Sequence, residues 1–292
     1  MEASPAPISL RASGRTRRRL LVNRGTEVVA TTAAFGAVAL LAIVTVSVIV
    51  RAIPALNVSL FTEGQPPYGN GIENAIIGSV ILVVLAAAMA VPVGVLIAIF
   101  VSEIAPERIS RPIRLALDVL NGVPSIVIGI FVFGLLVVGH GQSGWAGAFA
   151  LAIIMLPLVA RTTMEVLALV PASLREASFA LGVSKWRTVL RVIMPTALGG
   201  ILTGATLAVA RAAGETAPIL FTTSIFTTQV QTDPSQPLPN LPFVIFSYSE
   251  SQLKEQNEQA WAAAFILMSF VLISSLTARA LLTRNERKLR GR

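Results

Sequence analysis

Thr203-Gly204-Ala205-Thr206-Leu207-Ala208-Val209-Ala210-Arg211-Ala212-Ala213-Gly214-Glu215-Thr216-Ala217-Pro218 decides how many times this chain crosses a membrane. The segment around it, 196–222, is apolar yet carries an arginine and a glutamate, so hydropathy alone could reject it. The composition leaves little room for a soluble protein. The 292 residues are 54% hydrophobic and 13% charged, where soluble domains average about 25% charged, and the mean hydropathy is +0.75. With no cysteine, neither a disulfide framework nor a thiolate metal site is possible.

Five other stretches read as spans: 28–50, 75–101, 115–138, 145–167 and 260–279. The first, Val28 to Val50, has no charge over 23 residues. At 1.5 Å per residue it crosses a hydrocarbon core of about 30 Å, and it is too long for the apolar region of a signal peptide. Pro92 kinks the second span, a matter of packing geometry rather than gating. The third contains Asp118, Asn121 and the break Gly122-Val123-Pro124-Ser125, whose freed backbone groups must face the bundle or a wet cavity. The fourth opens on an interfacial Trp145 and carries Arg161 and Glu165 at its far end. Gln65-Pro66-Pro67-Tyr68-Gly69-Asn70-Gly71 and Gly139 to Gly144 are turns. Residues 223–259, with Pro234, Pro237, Pro239 and Pro242, read as a long external loop. Within it Phe243-Val244-Ile245-Phe246 is too short to span and reads as a re-entrant or partner-facing patch. Residues 1–27, with Arg11 and five further arginines, read as a disordered basic tail, and 283–292 as a second basic tail with Arg290 and Arg292.

Positive charge tests this topology. With both termini and the loops around 108 and 180 on the cytoplasmic side, 20 of the 23 Lys and Arg lie inside; Arg51 and Lys254 lie outside and Arg211 in the membrane. Only six spans give this result, because removing 196–222 puts an arginine-rich terminus on the wrong face. The net charge of +8 is thus a topology signal rather than a nucleic-acid footprint. The expectation is an all-α polytopic protein of the cell membrane: six helices within 28–282, lipid around them, and both termini cytoplasmic.

Two segments carry candidate chemistry. Arg211 lies near mid-membrane, where an unpaired charge costs a few kcal/mol or more. Glu215, four residues on, either neutralises it or joins it on a path where Arg211 lowers the barrier to an anion. Pro218 cannot donate to the carbonyl of Gly214, so the helix is expected to bend or unwind around Thr216. The ridge Gly200-xxx-Gly204 is expected to face the second or third span or a partner. The loop 171–195 is expected to hold two short helices. Pro171 starts the first, Ser173 and Glu176 form a capping box, and Gly182 ends it at positive φ; the second runs from Ser184 to Ile193 and stops at Pro195. Phe179, Leu181, Val183 and Trp186 can insert into lipid headgroups or a partner's groove.

The remaining polar residues point to no enzyme. His140 reads as a solvated turn residue, and Asp118 as a partner of Arg114 or a backbone cap. Ser125 and His140 each lack a second residue to activate them. Lys185, Lys254 and Lys288 follow Ser, Leu and Arg, so there is no Gly-Lys-Ser/Thr phosphate loop, and no metal or cofactor site is expected.

Glu176-Ala177-Ser178-Phe179-Ala180-Leu181-Gly182, nine residues, Val192, one residue, and Met194-Pro195 resembles the loop of the inner-membrane permease subunits of ATP-driven importers. Ser178, Val192 and Met194 are conservative departures. Residues 203–218 narrow the resemblance to the phosphate-specific members, over about residues 72–282. The resemblance implies a type I importer permease (MetI-like) bundle, a second homologous permease chain, a pair of ATPase subunits inside and an external phosphate-binding protein. It implies that Glu176, Ala177, Ser178, Leu181, Gly182 and Trp186 couple to the ATPase. Arg211, Gly214, Glu215, Thr216 and Pro218 would line the path of inorganic phosphate. Another oxyanion (sulfate, molybdate or phosphonate) and a scaffold for phosphate signalling are the alternatives.

Overall fold

In hydrocarbon, backbone polar groups are satisfied only within helices or closed barrels, and the described residues form helices and no strand. The computed structural model describes residues 14–65, 71–227 and 229–289. The expectations for Arg11, for turn residues 66–70 and for Arg290 and Arg292 lie outside them.

Residues 1–50 make one unit, described as helix α1 (Arg15–Ala52). Its apolar stretch Val22–Ala55 is long enough to cross a membrane, and Phe35, Leu41 and Val46 are exposed along it. Residues 15–27, expected as a disordered tail, are helical. Arg and Leu are good helix formers, and prolonging an existing helix costs far less than nucleating one.

Residues 51–292 make the second unit. After α2 (Val58–Thr62), capped by the Asn57 side chain, come α3 (Glu73–Ile99), α4 (Glu107–Gly122), α5 (Ser125–Val132), α6 (Gly144–Ala168), α7 (Ala172–Ala180), α8 (Lys185–Thr188), α9 (Met194–Ala213), α10 (Ala217–Thr222), α11 (Leu241–Ser249) and α12 (Lys254–Leu289). Among the described residues five helices are long and apolar enough to cross a membrane, and α4 with α5 makes a sixth span if the bent pair is counted as one. Three differences from the expected spans have local causes. The stretch 115–138 is not one rod but a pair bent by 96°, because Val123 precedes a proline and is held extended. The charged stretch before it is already helical from Glu107. The second half of the 171–195 loop does not stop at Pro195: α8 and α9 form one helix, Lys185–Ala213. A wide turn at Val189–Ile193, in which the Met194 N–H reaches the Val189 carbonyl, takes up the donor that Pro195 lacks.

Close approach holds the bundle together. Ala86, Ala90 and Ala98 of α3 are buried with Ala148, Ala152 and Ala160 of α6, and a Cβ on Gly94 would sit 2.9 Å from the Val159 side chain. Gly200 lies against Val166 and Gly204 against Thr162, so the small-residue ridge of α9 faces the fourth span, α6, rather than the second or third. Without a hydrophobic drive between helices in lipid, such close packing supplies the attraction. The Thr203 hydroxyl also reaches the Ala278 carbonyl of α12 at 3.3 Å.

The stretch 223–259 is not an open loop. Leu238 and Asn240 are wholly buried, and Leu241 and Val244 nearly so. The Thr223 hydroxyl accepts from the Leu238 N–H (2.7 Å), Asn240 Nδ2 donates to the Thr223 carbonyl (2.9 Å), and the Leu241 N–H donates to Ser79 (2.8 Å). Gly144 and Trp145 donate to the carbonyls of Gln236 and Pro234. This strap crosses the first turns of α3 and α6, and the apolar patch around Phe243 belongs to α11, packed on α12. Gly78 lies directly under the Pro239 carbonyl. Gly78→Val is therefore expected to cost about 1–3 kcal/mol by overpacking, read as a lower thermal midpoint of the purified chain, whereas Gly36→Val in α1, where nothing is near, is expected to leave that midpoint close to wild type.

Candidate functional site

At the end of the bundle opposite the strap, α7 and α8 form a helical hairpin. The chain enters α7 through Pro171, extended at ψ 137°, with no side-chain cap. The capping box expected from Ser173 and Glu176 does not form, because Ser173 already lies inside the first turn. Gly182 adopts φ +72°, the left-handed turn its sequence position required, and its N–H donates to the Phe179 carbonyl at 2.9 Å. Ser178, where the resembling loops carry alanine, is buried, and its hydroxyl lies 2.8 Å from that of Thr188, clipping α7 to α8. Glu176, Ala177 and Gly182 are exposed. So are the apolar Phe179, Leu181 (82%) and Trp186 (56%), while Val183 is half-buried.

The hairpin is fastened by a residue that local pattern did not single out. Arg175 donates from Nη2 to Glu103 Oε1 (2.7 Å) and from Nε to Oε2 (3.3 Å). It also donates to the carbonyls of Val170 (2.7 Å) and Leu167 (2.9 Å). Its only signal in the sequence is the lack of an acid three or four residues away.

The second cluster lies at the two helix breaks. α9 ends at Ala213, and the N–H groups of Gly214 and Glu215 bond to carbonyls three residues back, both at 3.1 Å; α10 then starts with Pro218 in its first turn. Arg211 is exposed, Glu215 and Thr216 half-buried and Pro218 buried. Among the described residues no ion pair joins Arg211 to Glu215. The i, i+4 pairing needs a continuous helix, and the chain leaves it at Gly214. The short helices beyond the two breaks pack on each other: a Cβ on Gly129 would be 2.8 Å from Pro218 Cα, and Phe133 meets Phe221 edge to face at 6.4 Å.

Asp118 pairs with Arg161 of α6, not with Arg114. The bend packs α4 against α6, which brings a cation of another helix to the carboxylate. Both side chains keep more than two-fifths of their surface exposed. The contacts of Gly200 and Gly204 set α9 antiparallel to α6, and Arg211 shares their face. It lies about two helical turns, roughly 10 Å along the axis, beyond the level of Thr162 beside Arg161. Arg211 borders the exposed, partly unwound segment, and Arg161 lies on the adjacent helix toward the hairpin end. Such an arrangement can compensate an anion.

At the strap end, Arg51 lies 4.7 Å from the centre of the Trp261 ring, in a cleft of about 480 Å³ also lined by Lys254 and Glu258. Burial pushes the Tyr248 hydroxyl up to about 12, so it stays protonated. His140 is exposed in a turn between two glycines of positive φ.

Residues 90–290 match the family described as binding-protein-dependent transport system inner membrane component. The chain is similar to phosphate transport system permease proteins PstA. It is 42% identical to that of Pasteurella multocida over 238 residues (80% of this chain, 84% of that protein). For Xylella fastidiosa the figures are 39% over 276 residues (92% and 96%), and for PstA 1 of Mycobacterium tuberculosis 38% over 226 (75% and 73%). Among solved structures it resembles an inward-facing conformation of the MetNI methionine ABC transporter (TM-score 0.55, 19% identity, 72% of this chain and 94% of that chain). It also resembles an amino acid ABC transporter (TM-score 0.52, 20%, 74% and 92%). At such identities these two likenesses show the fold alone: the MetI-like permease bundle. A multi-pass membrane protein with this fold and these relatives, the chain belongs to the family of binding-protein-dependent transport system inner membrane components.

Proposed function

We propose that this chain is the transmembrane permease subunit of an ATP-driven, binding-protein-dependent importer of inorganic phosphate. The observation that carries the reading is Arg211, exposed at a broken helix and without an acidic partner among the described residues. In lipid such a charge is untenable; beside an aqueous path it compensates an anion. The similarity to phosphate permeases over most of the chain selects the anion. Gly214, Glu215, Thr216 and Pro218 shape the unwound wall of that path, and the Arg161–Asp118 pair borders it.

The partners follow from what this chain leaves uncovered. Its exposed charges at the breaks call for a second, homologous permease across the path. Its exposed Phe179, Leu181 and Trp186, with Glu176, Ala177, Ser178 and Gly182 around them, form the knob that enters an ATPase, present as a pair. A chain without a phosphate loop depends on that pair for ATP hydrolysis. An external binding protein delivers phosphate at the strap end, the hairpin and both termini being cytoplasmic. ATP-driven closure of the ATPases moves the hairpin and rocks the helices, so the anion meets the path from alternate sides.

Three outcomes test this. Phosphate-starved cells lacking the chain are expected to regain uptake of labelled phosphate when it is restored, with inhibition by unlabelled phosphate but not by sulfate, molybdate or phosphonate; inhibition by one of those identifies a different oxyanion. Arg211→Ala is expected to lower uptake at least about tenfold, the factor given by ~1.4 kcal/mol of lost barrier compensation. Co-purification of the partner subunits should be unchanged; normal uptake by this variant would remove Arg211 from the path, and intact phosphate signalling without uptake would separate transport from a scaffold role. In intact cells a membrane-impermeant maleimide is expected to label Ser235→Cys and spare Glu107→Cys until the membrane is opened. The reverse pattern would invert the topology.

A further inference from the structure

We infer that Arg175 is a positioning residue that makes the α7 hairpin and the ends of α3 and α6 move as one body; this rests on the reading that the hairpin receives an ATPase. The geometry joins three elements on one guanidinium. Glu103 belongs to the wide turn Phe100–Ile104 that prolongs α3, and Arg175 holds both of its carboxylate oxygens, at 2.7 and 3.3 Å. The carbonyls of Leu167, in the last turn of α6, and of Val170, just past its end, lie at 2.9 and 2.7 Å, where partial negative charge gathers and a cation is favoured. The pair is well shielded, with side-chain exposures of 24% for Arg175 and 9% for Glu103.

Little else ties α7 to those two helices. Of its nine residues only Ser178 is buried, and that residue bonds to Thr188. The packing of α7 is on α8 and on the wide turn that follows it. A force on the exposed apolar residues of the hairpin therefore reaches α9 through the continuous helix Lys185–Ala213. From α7 itself it reaches α3 through Arg175, and α6 through Arg175 and the three-residue link 169–171. Since α9 carries Arg211 and α6 carries Arg161, the chain joins the hairpin to both helices, and the guanidinium fixes the short link to α6 and adds the end of α3. Lysine cannot replace it, because a single ammonium on a flexible stem does not present the planar fork that holds two carboxylate oxygens and two carbonyls together.

The absence of cysteine permits a direct test on the assembled transporter in liposomes. Spin labels at Ser173→Cys of α7 and Leu96→Cys of α3, both exposed, report the distance between these helices with and without ATP. With Arg175 and Glu103 intact, one narrow distance is expected in both states. Glu103→Gln and Arg175→Lys are each expected to broaden it and to make it change with ATP. They are also expected to raise ATP hydrolysed per phosphate moved at least about threefold, and Glu103→Asp, which keeps the charge, is expected to recover most of that ratio. A distance that already changes with ATP when the pair is intact overturns the inference, whether or not the variants assemble; so do variants that keep both the distance and the ratio. If no ATPase co-purifies, or phosphate does not move in the unaltered complex, it is the proposed function that fails. In the second case the ATP-dependent distances still decide the inference.

Discussion

Neither a guanidinium nor a broken helix tolerates hydrocarbon, and the architecture of this chain follows from where it puts both. Pro124 and the Gly214–Pro218 segment interrupt two helices, and the short helices beyond them pack together at Gly129, Pro218 and Phe221. The breaks are therefore part of one region rather than two scattered defects. Arg161 pairs with Asp118 nearer the hairpin end, while Arg211 has no acid beside it among the described residues. In the reading proposed above, this face is one wall of an enclosure and a partner permease supplies the opposite wall.

What holds this wall rigid is chemistry suited to lipid. The α3–α6 and α6–α9 contacts rest on glycines and alanines that let backbones approach, with Gly94, Gly200 and Gly204 each meeting a branched side chain. The antiparallel register that results fixes the level of Arg211 relative to Arg161. Position on the path is thus set by small residues far from any charge. Adding a methyl group to that ridge would move an arginine.

Much of this was legible in the sequence. Hydropathy marked most of the spans, and the helix that holds 196–213, expected from charge distribution, is itself long and apolar enough to cross a membrane. Pro124 and Pro218 announced the two breaks through the donor that proline lacks, and Gly182 announced a positive φ. Other features lay beyond local pattern. The pairs Arg175–Glu103 and Arg161–Asp118 link residues many turns apart in sequence, and periodicity cannot see them. That the external stretch 223–259 packs as a strap was not legible, because prolines and polar residues look alike in solvent and in a buried segment. Its burial depends on Thr223, Asn240 and Ser79, whose hydrogen bonds exist only in the folded chain. The capping box failed for the opposite reason: the motif was present, but the helix had already begun at Ala172, so Ser173 lies inside its first turn.

The polar contacts are unevenly distributed, and that distribution bears on motion. At the strap end Thr223, Asn240, Ser79, Gln142 and the backbone of Gly144 and Trp145 tie α3, α6, α10 and α11 through many short hydrogen bonds. At the hairpin end, the polar attachment of α7 rests mainly on the Arg175 cluster and the Ser178–Thr188 bond, while Val189 and Ile193 after α8 are buried in an apolar cluster with Leu167, Val170 and Val101. Regions with few buried contacts open at lower free-energy cost than densely bonded ones. In the proposed cycle, rocking driven from the hairpin would bend the helices where α9 already gives way at Gly214, while the strap end keeps its packing. The unwound segment beside Arg211 lies between the two ends, where in that cycle a small rotation would change which side of the guanidinium meets the proposed path.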